Sequence, residues 1–379
     1  VTHTPVAVVG IGQTKHAAKR TDVSMPGLVR EAALRALEDA GIGFADIDAV
    51  VIGKAPDMFE GVPNPELFLA DALGAVGKPL FRVHTAGSVG GSTAVVASHL
   101  VSSGVHKRVL TVAWEKQSES NAMWALSQKF PFQPPTAAGA GGYFAPIIRA
   151  YMRRTGAPEH IGWKVAVKDR ANGLKNPYAH LHMPDFTLDR VKSSPMLWDP
   201  IRYAETCPSS DGACALVLSA DTLGVSDPAW VHATALRTEP MLFAGRDEVS
   251  PRAGADCAAQ LYKDAGITPD QVDVAELYVP FTWYEPMWLE NLHLFESGWR
   301  AVDEGHTELG GKLPINPSGG VLCTNPIGAS GMIRFAEAAL QVRGRAGDHQ
   351  VDGARLAVGH AYGGGSQFFA MWLVGSEAP

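Results

Sequence analysis

The sequence predicts an α/β fold assembled from two duplicated βαβ halves, and three observations carry that prediction. The first is a repeat. Asp39-Ala40-Gly41-Ile42, followed after four residues by Ile47-Asp48, recurs as Asp264-Ala265-Gly266-Ile267 and Val272-Asp273, every residue shifted by 225 positions. The second is punctuation. Each block closes a segment with apolar residues at helical spacing, such as Leu34, Leu37 and Ala40, and Gly41 or Gly266 stands where a helix stops. The third is alternation, because an apolar strand follows each block, at residues 49–52 and 274–279. Two unrelated α/β domains would leave the fixed offset unexplained.

The chain enters on Val6-Ala7-Val8-Val9, a buried-strand run. After the first block, Gly87-Ser88-Val89-Gly90-Gly91-Ser92 opens a small-residue helix, as Gly328-Ala329-Ser330-Gly331 does in the second half. Apolar strands follow at 108–113 and 355–359. Residues 117–205 break the pattern with Pro-rich and aromatic stretches and a long amphipathic helix. They read as a loop domain inserted over the active face of the first half, because loops on a rigid scaffold carry binding. The halves are therefore 1–225, with that insertion, and 226–379.

Composition narrows the function. Hydrophobic residues make up 46% of the 379 and charged residues 19%, with 40 glycines. The charged share is below the roughly 25% of ordinary globular chains, which suits a large core and much surface buried between subunits. A net charge of −7 offers no attraction to a phosphate backbone, so no nucleic acid partner is expected. No apolar run reaches the roughly 18 residues that span a bilayer, so no membrane is expected either. Val1-Thr2-His3-Thr4 lacks the basic-then-apolar pattern of a secretory signal. Cys207, Cys214, Cys257 and Cys323 form no Cys-x-x-Cys pair and no His-rich ligand spacing. That predicts no metal site and a reducing, cytoplasmic location.

Five segments stand out in order: 6–14 (VAVVGIGQT), 165–177 (VAVKDRANGLKNP), 207–218 (CPSSDGACALVL), 316–331 (NPSGGVLCTNPIGASG) and 358–367 (VGHAYGGGSQ). With the duplication they span nearly the whole chain. The sequence resembles the thiolase superfamily, specifically its sterol-carrier-protein thiolase and lipid-transfer-protein branch. The resemblance implies a five-layer thiolase fold, two mixed five-stranded sheets sandwiching helices under the inserted loop domain. It also implies an obligate homodimer, in which the helix and strand around residues 88–110 meet the mate and that strand pairs with its copy.

The departures from the family pattern bear on chemistry. A thiolase needs a Cys opening the small-residue helix, where a helix N-terminus favours the thiolate. That position is Ser88 here, and a serine needs an adjacent base to become a nucleophile. The family's Gly-His-Pro reads Thr324-Asn325-Pro326, and its Cys-x-Gly-Gly-Gly reads Ala361-Tyr362-Gly363-Gly364-Gly365. Its Asn-Glu-Ala-Phe or His-Asp-Cys-Phe motif reads Tyr278-Val279-Pro280-Phe281. Thioester exchange through a Cys is thereby excluded. Tyr278 and Tyr362 stand where the catalytic loops converge, and in this the chain is similar to the steroid side-chain-cleaving aldolases. The resemblance implies retro-aldol cleavage of a β-hydroxyacyl-CoA with a sterol-derived side chain. The CoA belongs to the substrate, and no cofactor is bound by the chain. A small partner protein with an OB-fold and zinc ribbon is implied as well.

A tyrosine is a poor base at its reference pKa of about 10. His360, two residues before Tyr362 on one strand face, is the expected helper. Asn325, the Ser88 hydroxyl and the N–H groups around Gly363 and Gly364 are candidates to hold the enolate oxygen. Each has a plainer alternative: packed aromatics for the tyrosines, a core histidine, a helix N-cap for Ser88, a Pro-bounded turn for Asn325. Asp211 reads as turn-fixing and Cys323 as a buried structural thiol. The aromatic stretch 278–299, with Tyr284, Trp283, Trp288 and Trp299, is core packing by its spacing, or else a channel wall or partner face. An acyltransferase using Ser88 and a non-catalytic acyl-CoA-binding subunit compete with the lyase.

Overall fold

A computed structural model describes residues 4–121, 125–126, 139–240 and 245–379. Its strands are β1 (Val6–Gln13), β2 (Ala49–Lys54), β3 (Leu80–Val83), β4 (Arg108–Lys116), β5 (Met196–Trp198), β6 (Ile201–Arg202), β7 (Asp211–Ser219), β8 (Ala229–Thr238), β9 (Val274–Glu276), β10 (Leu356–Gly363) and β11 (Phe368–Gly375). Among the described residues nine of these form one sheet, ordered β3-β2-β4-β7-β1-β8-β11-β10-β9, while β5 and β6 make a separate hairpin. The β2–β3, β2–β4 and β9–β10 pairs are parallel, as crossover helices require.

The two halves fold alike. The Met25–Ala40 helix packs on β1 and β7, and the Arg252–Ala265 helix on β8 and β11. Both end at a left-handed glycine, Gly41 and Gly266, each at φ 68°. Leu28, Val29, Ala32 and Ala36 of the first helix bury against Ala7, Val9, Ala213 and Ala215 of the sheet. The Val89–Ser102 and Ile327–Val342 helices pack on each other between the sheet halves and make the middle layer. Small residues are required there. A Cβ on Gly90 would stand 2.5 Å from the Met332 nitrogen, closer than packed atoms approach.

Two expectations need correction. The halves are not separate five-stranded sheets. Val6, Ala7 and Val8 of β1 pair with Val231, Trp230 and Ala229 of β8, so five strands of the first half run on into four of the second. The second-half counterpart of β3 is reduced to one parallel bridge, Ala275 to Ile315. Pro314 has no N–H to give a ladder, and Asn316 turns left-handed at φ 53°. The strand expected to pair with a mate is also not at an edge, because β4 lies between β2 and β7. The first-half edge is β3, where Phe81 is 43% exposed.

Residues 117–205 leave the sheet after β4. They include the Gly139–Thr155, His160–Gly173 and Leu188–Ser193 helices and the β5–β6 hairpin. The segment returns against the loop that follows β9, with Thr206 bridged to Phe281 and the Cys207 N–H donating to the Pro280 carbonyl at 3.0 Å. Among the described residues no helix is long and apolar enough to cross a membrane.

Candidate active site

Parallel neighbours β9 and β10 end side by side, and each delivers a tyrosine there, Tyr278 in the loop after β9 and Tyr362 near the end of β10. The ends of such strands are where an α/β fold gathers reactive groups. A cavity of about 490 Å³ opens at this point. Tyr278, Tyr362, Asn325, Gly363 and Gly364 line it together with Phe59, Phe144, Phe281 and Phe368. Five of the predicted site residues therefore meet in one place.

The tyrosine rings meet edge to face, centroids 5.3 Å apart and planes at 90°. Tyr284 stacks on Tyr362 at 5.6 Å and 16°, and Trp288 meets it edge-on at 5.0 Å. Trp288 also donates its indole N–H to the Tyr278 carbonyl at 2.9 Å. Trp283, Tyr284 and Trp288 are buried; Tyr284 and Trp288 build a socket for the tyrosines, while Trp283 packs on Tyr151. They are neither a channel wall nor a partner face. Burial pushes both phenols well above the ordinary tyrosine value, with Tyr284 the next contributor at Tyr362. Both are therefore neutral O–H groups near neutral pH. The Tyr278 hydroxyl donates to Asn325 Oδ1 at 3.4 Å, whereas the Tyr362 hydroxyl has no hydrogen-bond partner among the described residues.

Asn325 is held through every polar atom. Its N–H donates to Ser210 Oγ at 3.1 Å and its carbonyl accepts from Gln117 Nε2. Its Oδ1 also accepts the Ser330 hydroxyl at 2.7 Å, and its Nδ2 donates to Cys207 Sγ at 3.2 Å. With two hydroxyls on the oxygen, the amide donor is turned toward Cys207, which lines the cavity.

His360 and Ser88 do not take their expected places. His360 is fully buried, and its Nδ1 accepts the Tyr278 N–H at 3.3 Å. Its ring lies parallel to that of Tyr362 with centroids 6.2 Å apart, and no hydrogen bond joins the two among the described residues. Burial drives its pKa down to about 3. It is thus a neutral anchor for the main chain of Tyr278 and not the expected helper of Tyr362. Ser88 does precede the Val89–Ser102 helix, but its hydroxyl donates back to the Thr85 carbonyl at 2.7 Å and to Thr85 Oγ1 at 2.9 Å. It is buried and does not line the cavity. Gly363 touches this turn directly. A Cβ there would fall 2.3 Å from the Ser88 nitrogen, so only glycine fits.

Asp211 accepts from the Ser118 N–H at 2.9 Å, the Ser118 hydroxyl at 2.6 Å and the Arg20 N–H at 2.8 Å, which fixes a junction. Cys323 is buried and donates to the Asp169 carbonyl at 3.2 Å. Sequence reasoning missed Cys207. Burial raises its thiol to about 11, so it is present as S–H. Its one signal was position, a Cys-Pro step where the insertion rejoins the sheet.

Comparison with known proteins settles the lineage. Residues 237–375 match the Thiolase C-terminal domain-like family. The acetyl-CoA acetyltransferase of Methanothermobacter thermautotrophicus is 31% identical, over 95% of this chain and 96% of that one. The chain belongs to the thiolase superfamily. Human sterol carrier protein 2 is 29% identical over 98% of this chain and 72% of its own, which places the chain in that branch of the thiolases. The solved Ltp2–ChsH2 aldolase is 25% identical with a TM-score of 0.84, covering 99% of both chains. Human mitochondrial 3-ketoacyl-CoA thiolase, at 15% identity and TM-score 0.75, shares the fold across 99% of both chains. Read on the superfamily's motifs, the two Cys positions fall on Ser88 and Ala361 here, with Tyr362 next to the second.

Proposed function

We propose that this thiolase-fold chain is a carbon–carbon lyase that cleaves a β-hydroxyacyl-CoA by a retro-aldol reaction. The observation that carries the proposal is the facing pair of neutral tyrosines in one largely apolar cavity. The cavity holds no thiolate and no base-activated serine. Its four phenylalanines suit a bulky apolar acyl group such as a sterol side chain. The likeness to the Ltp2–ChsH2 aldolase supports the same reaction class.

Burial disfavours a standing tyrosinate, so the proton moves through a neutral phenol. The β-hydroxyl proton passes to Tyr362 Oη while the Tyr362 proton passes to Cα. The Cα–Cβ bond pair goes to Cα, and the β-carbon leaves as a ketone or aldehyde. Partial enolate charge that develops on the thioester oxygen while the Cα–Cβ bond breaks meets the Asn325 amide and the N–H groups of the Gly364 loop, donors worth roughly 2.7–4 kcal/mol each in such sites. Tyr278, anchored by His360 and Asn325, orients the shuttle. Homodimerisation through β3 and a second protein of OB-fold and zinc-ribbon type belong to the same proposal. The name Ltp2–ChsH2 itself pairs two components.

The test is turnover of a sterol-side-chain β-hydroxyacyl-CoA by the purified chain, alone and with the products of neighbouring genes, following the released carbonyl compound. A stable acyl adduct found by intact mass and lost in Ser88→Ala would replace the lyase with acyl transfer. Binding without turnover in every combination would leave the non-catalytic subunit.

A further inference from the structure

We infer that Arg246, backed by Glu248 and Tyr143, is a positioning clamp that sets the Gly-rich loop after Tyr362. Gly364, Gly365 and Ser366 stand at φ 62°, 61° and 60°, three consecutive left-handed residues of which the last is not glycine. Such a turn costs roughly 1–2 kcal/mol for a residue with a Cβ, so something must hold it. The amides of these three residues make no hydrogen bond to protein among the described residues. The carbonyls are taken instead. Arg246 Nη2 donates to the Gly365 carbonyl, with Tyr143 Oη 3.1 Å from the same oxygen, and Arg246 Nη1 reaches the Ser366 carbonyl at 3.4 Å.

The guanidinium is itself fixed. Its Nε and Nη2 meet Glu248 Oε1 at 2.5 Å and Oε2 at 3.1 Å, a two-point pairing, and Tyr143 donates to Glu248 Oε2 at 2.8 Å. The Arg246 side chain is 3% exposed, so water does not replace it. The Gly365 carbonyl and the Ser366 N–H belong to one planar peptide and point opposite ways. Holding the oxygen against Arg246 fixes the plane of that peptide, in a loop whose Gly363, Gly364 and Gly365 line the cavity. A cationic donor on the carbonyl also polarises the peptide and strengthens its N–H as a donor. Arg246 and Glu248 border a separate recess of about 830 Å³. They act on the site through the loop and do not line the reaction cavity.

The kinetic arm of the test rests on the lyase reading, and a second arm does not. In Arg246→Met, kcat should fall by roughly 10²-fold, the scale of a lost oxyanion donor, with KM within about threefold of wild type. Glu248→Gln and Arg246→Lys should fall between the two. Hydrogen exchange on the full chain supplies the second arm. The Gln367 N–H closes the turn on the Gly363 carbonyl at 3.0 Å, and it should exchange at least about tenfold faster in Arg246→Met, while β8 and β11 beyond the loop stay protected. Unchanged exchange in a folded variant, or a rise in KM at wild-type kcat, overturns the clamp. Should wild type prove inactive on β-hydroxyacyl-CoA, faster Gln367 exchange sustains the clamp while the lyase reading falls. If Arg246→Met does not fold, the same two measurements on Arg246→Lys and Glu248→Gln decide.

Discussion

Tyr362 carries a hydroxyl that no described protein group accepts, set in a socket of Tyr284, Trp288 and Tyr278 rings. Replacing it with Phe removes only that hydroxyl, so stability should barely change while turnover falls by roughly 10²–10⁴. Tyr278→Phe should cost similar turnover, and it also gives up the 3.4 Å bond to Asn325. Both variants cleaving substrate at the wild-type rate would reduce the tyrosines to packing. The protonation states make a sharper demand. Neither phenol, the Cys207 thiol nor His360 titrates between pH 6 and 9 on the shifts described. A neutral shuttle therefore predicts a kcat that is flat across that range, whereas a tyrosinate base would give a tenfold rise per pH unit. His360 is tested through folding. Its folded pKa of about 3 lies below its unfolded value near 6.5. Between those values only the unfolded chain takes up the proton, so this group makes stability fall as pH drops from about 6.5 toward 3. His360→Leu should lose about 1–3 kcal/mol at pH 7, because the buried Tyr278 N–H loses its acceptor. Its further loss on going to pH 5 should be smaller than that of wild type, as urea unfolding would show.

Elements that carry their own signals were legible in the sequence. The helices ending at Gly41 and Gly266 announce themselves by apolar spacing and a left-handed stop, and both stops sit at φ 68°. Strand β3 was not legible. It has four residues, and Phe81 on it is 43% exposed, so neither a buried run nor a clean alternation marks it. It is nonetheless the first-half edge, and an unpaired edge bearing exposed apolar side chains is a pairing surface. Phe81→Lys should shift the assembly toward a monomer of the 40.2 kDa chain mass in light scattering, while a dimer unaffected by it would place the interface elsewhere. The small-residue helices give a second check at this scale. Gly90→Val pushes side-chain atoms into the backbone of the Ile327–Val342 helix, where even a Cβ would sit 2.5 Å from the Met332 nitrogen. A loss of at least about 1–3 kcal/mol in urea unfolding is expected.

At the scale of the whole molecule, the sequence by itself determined the duplication, the βαβ order, the membership of the thiolase superfamily and the loss of its Cys pair. It also brought Tyr278, Tyr362, Asn325, Gly363 and Gly364 onto one short roster, because motif positions on a repeated scaffold map to one place. What it left open were matters of direction and environment. Only the tertiary structure turned the Ser88 hydroxyl back onto Thr85, put the imidazole of His360 under the Tyr278 main chain, and brought Cys207 to Asn325 from 118 residues away. Only it joined the two halves through β1 and β8, and set Arg246 against the carbonyls of Gly365 and Ser366. The reason is physical. Periodicity, caps and motif spacing are local in the chain. The protonation of a buried group and the direction of a hydroxyl depend on neighbours that arrive only when distant segments pack together.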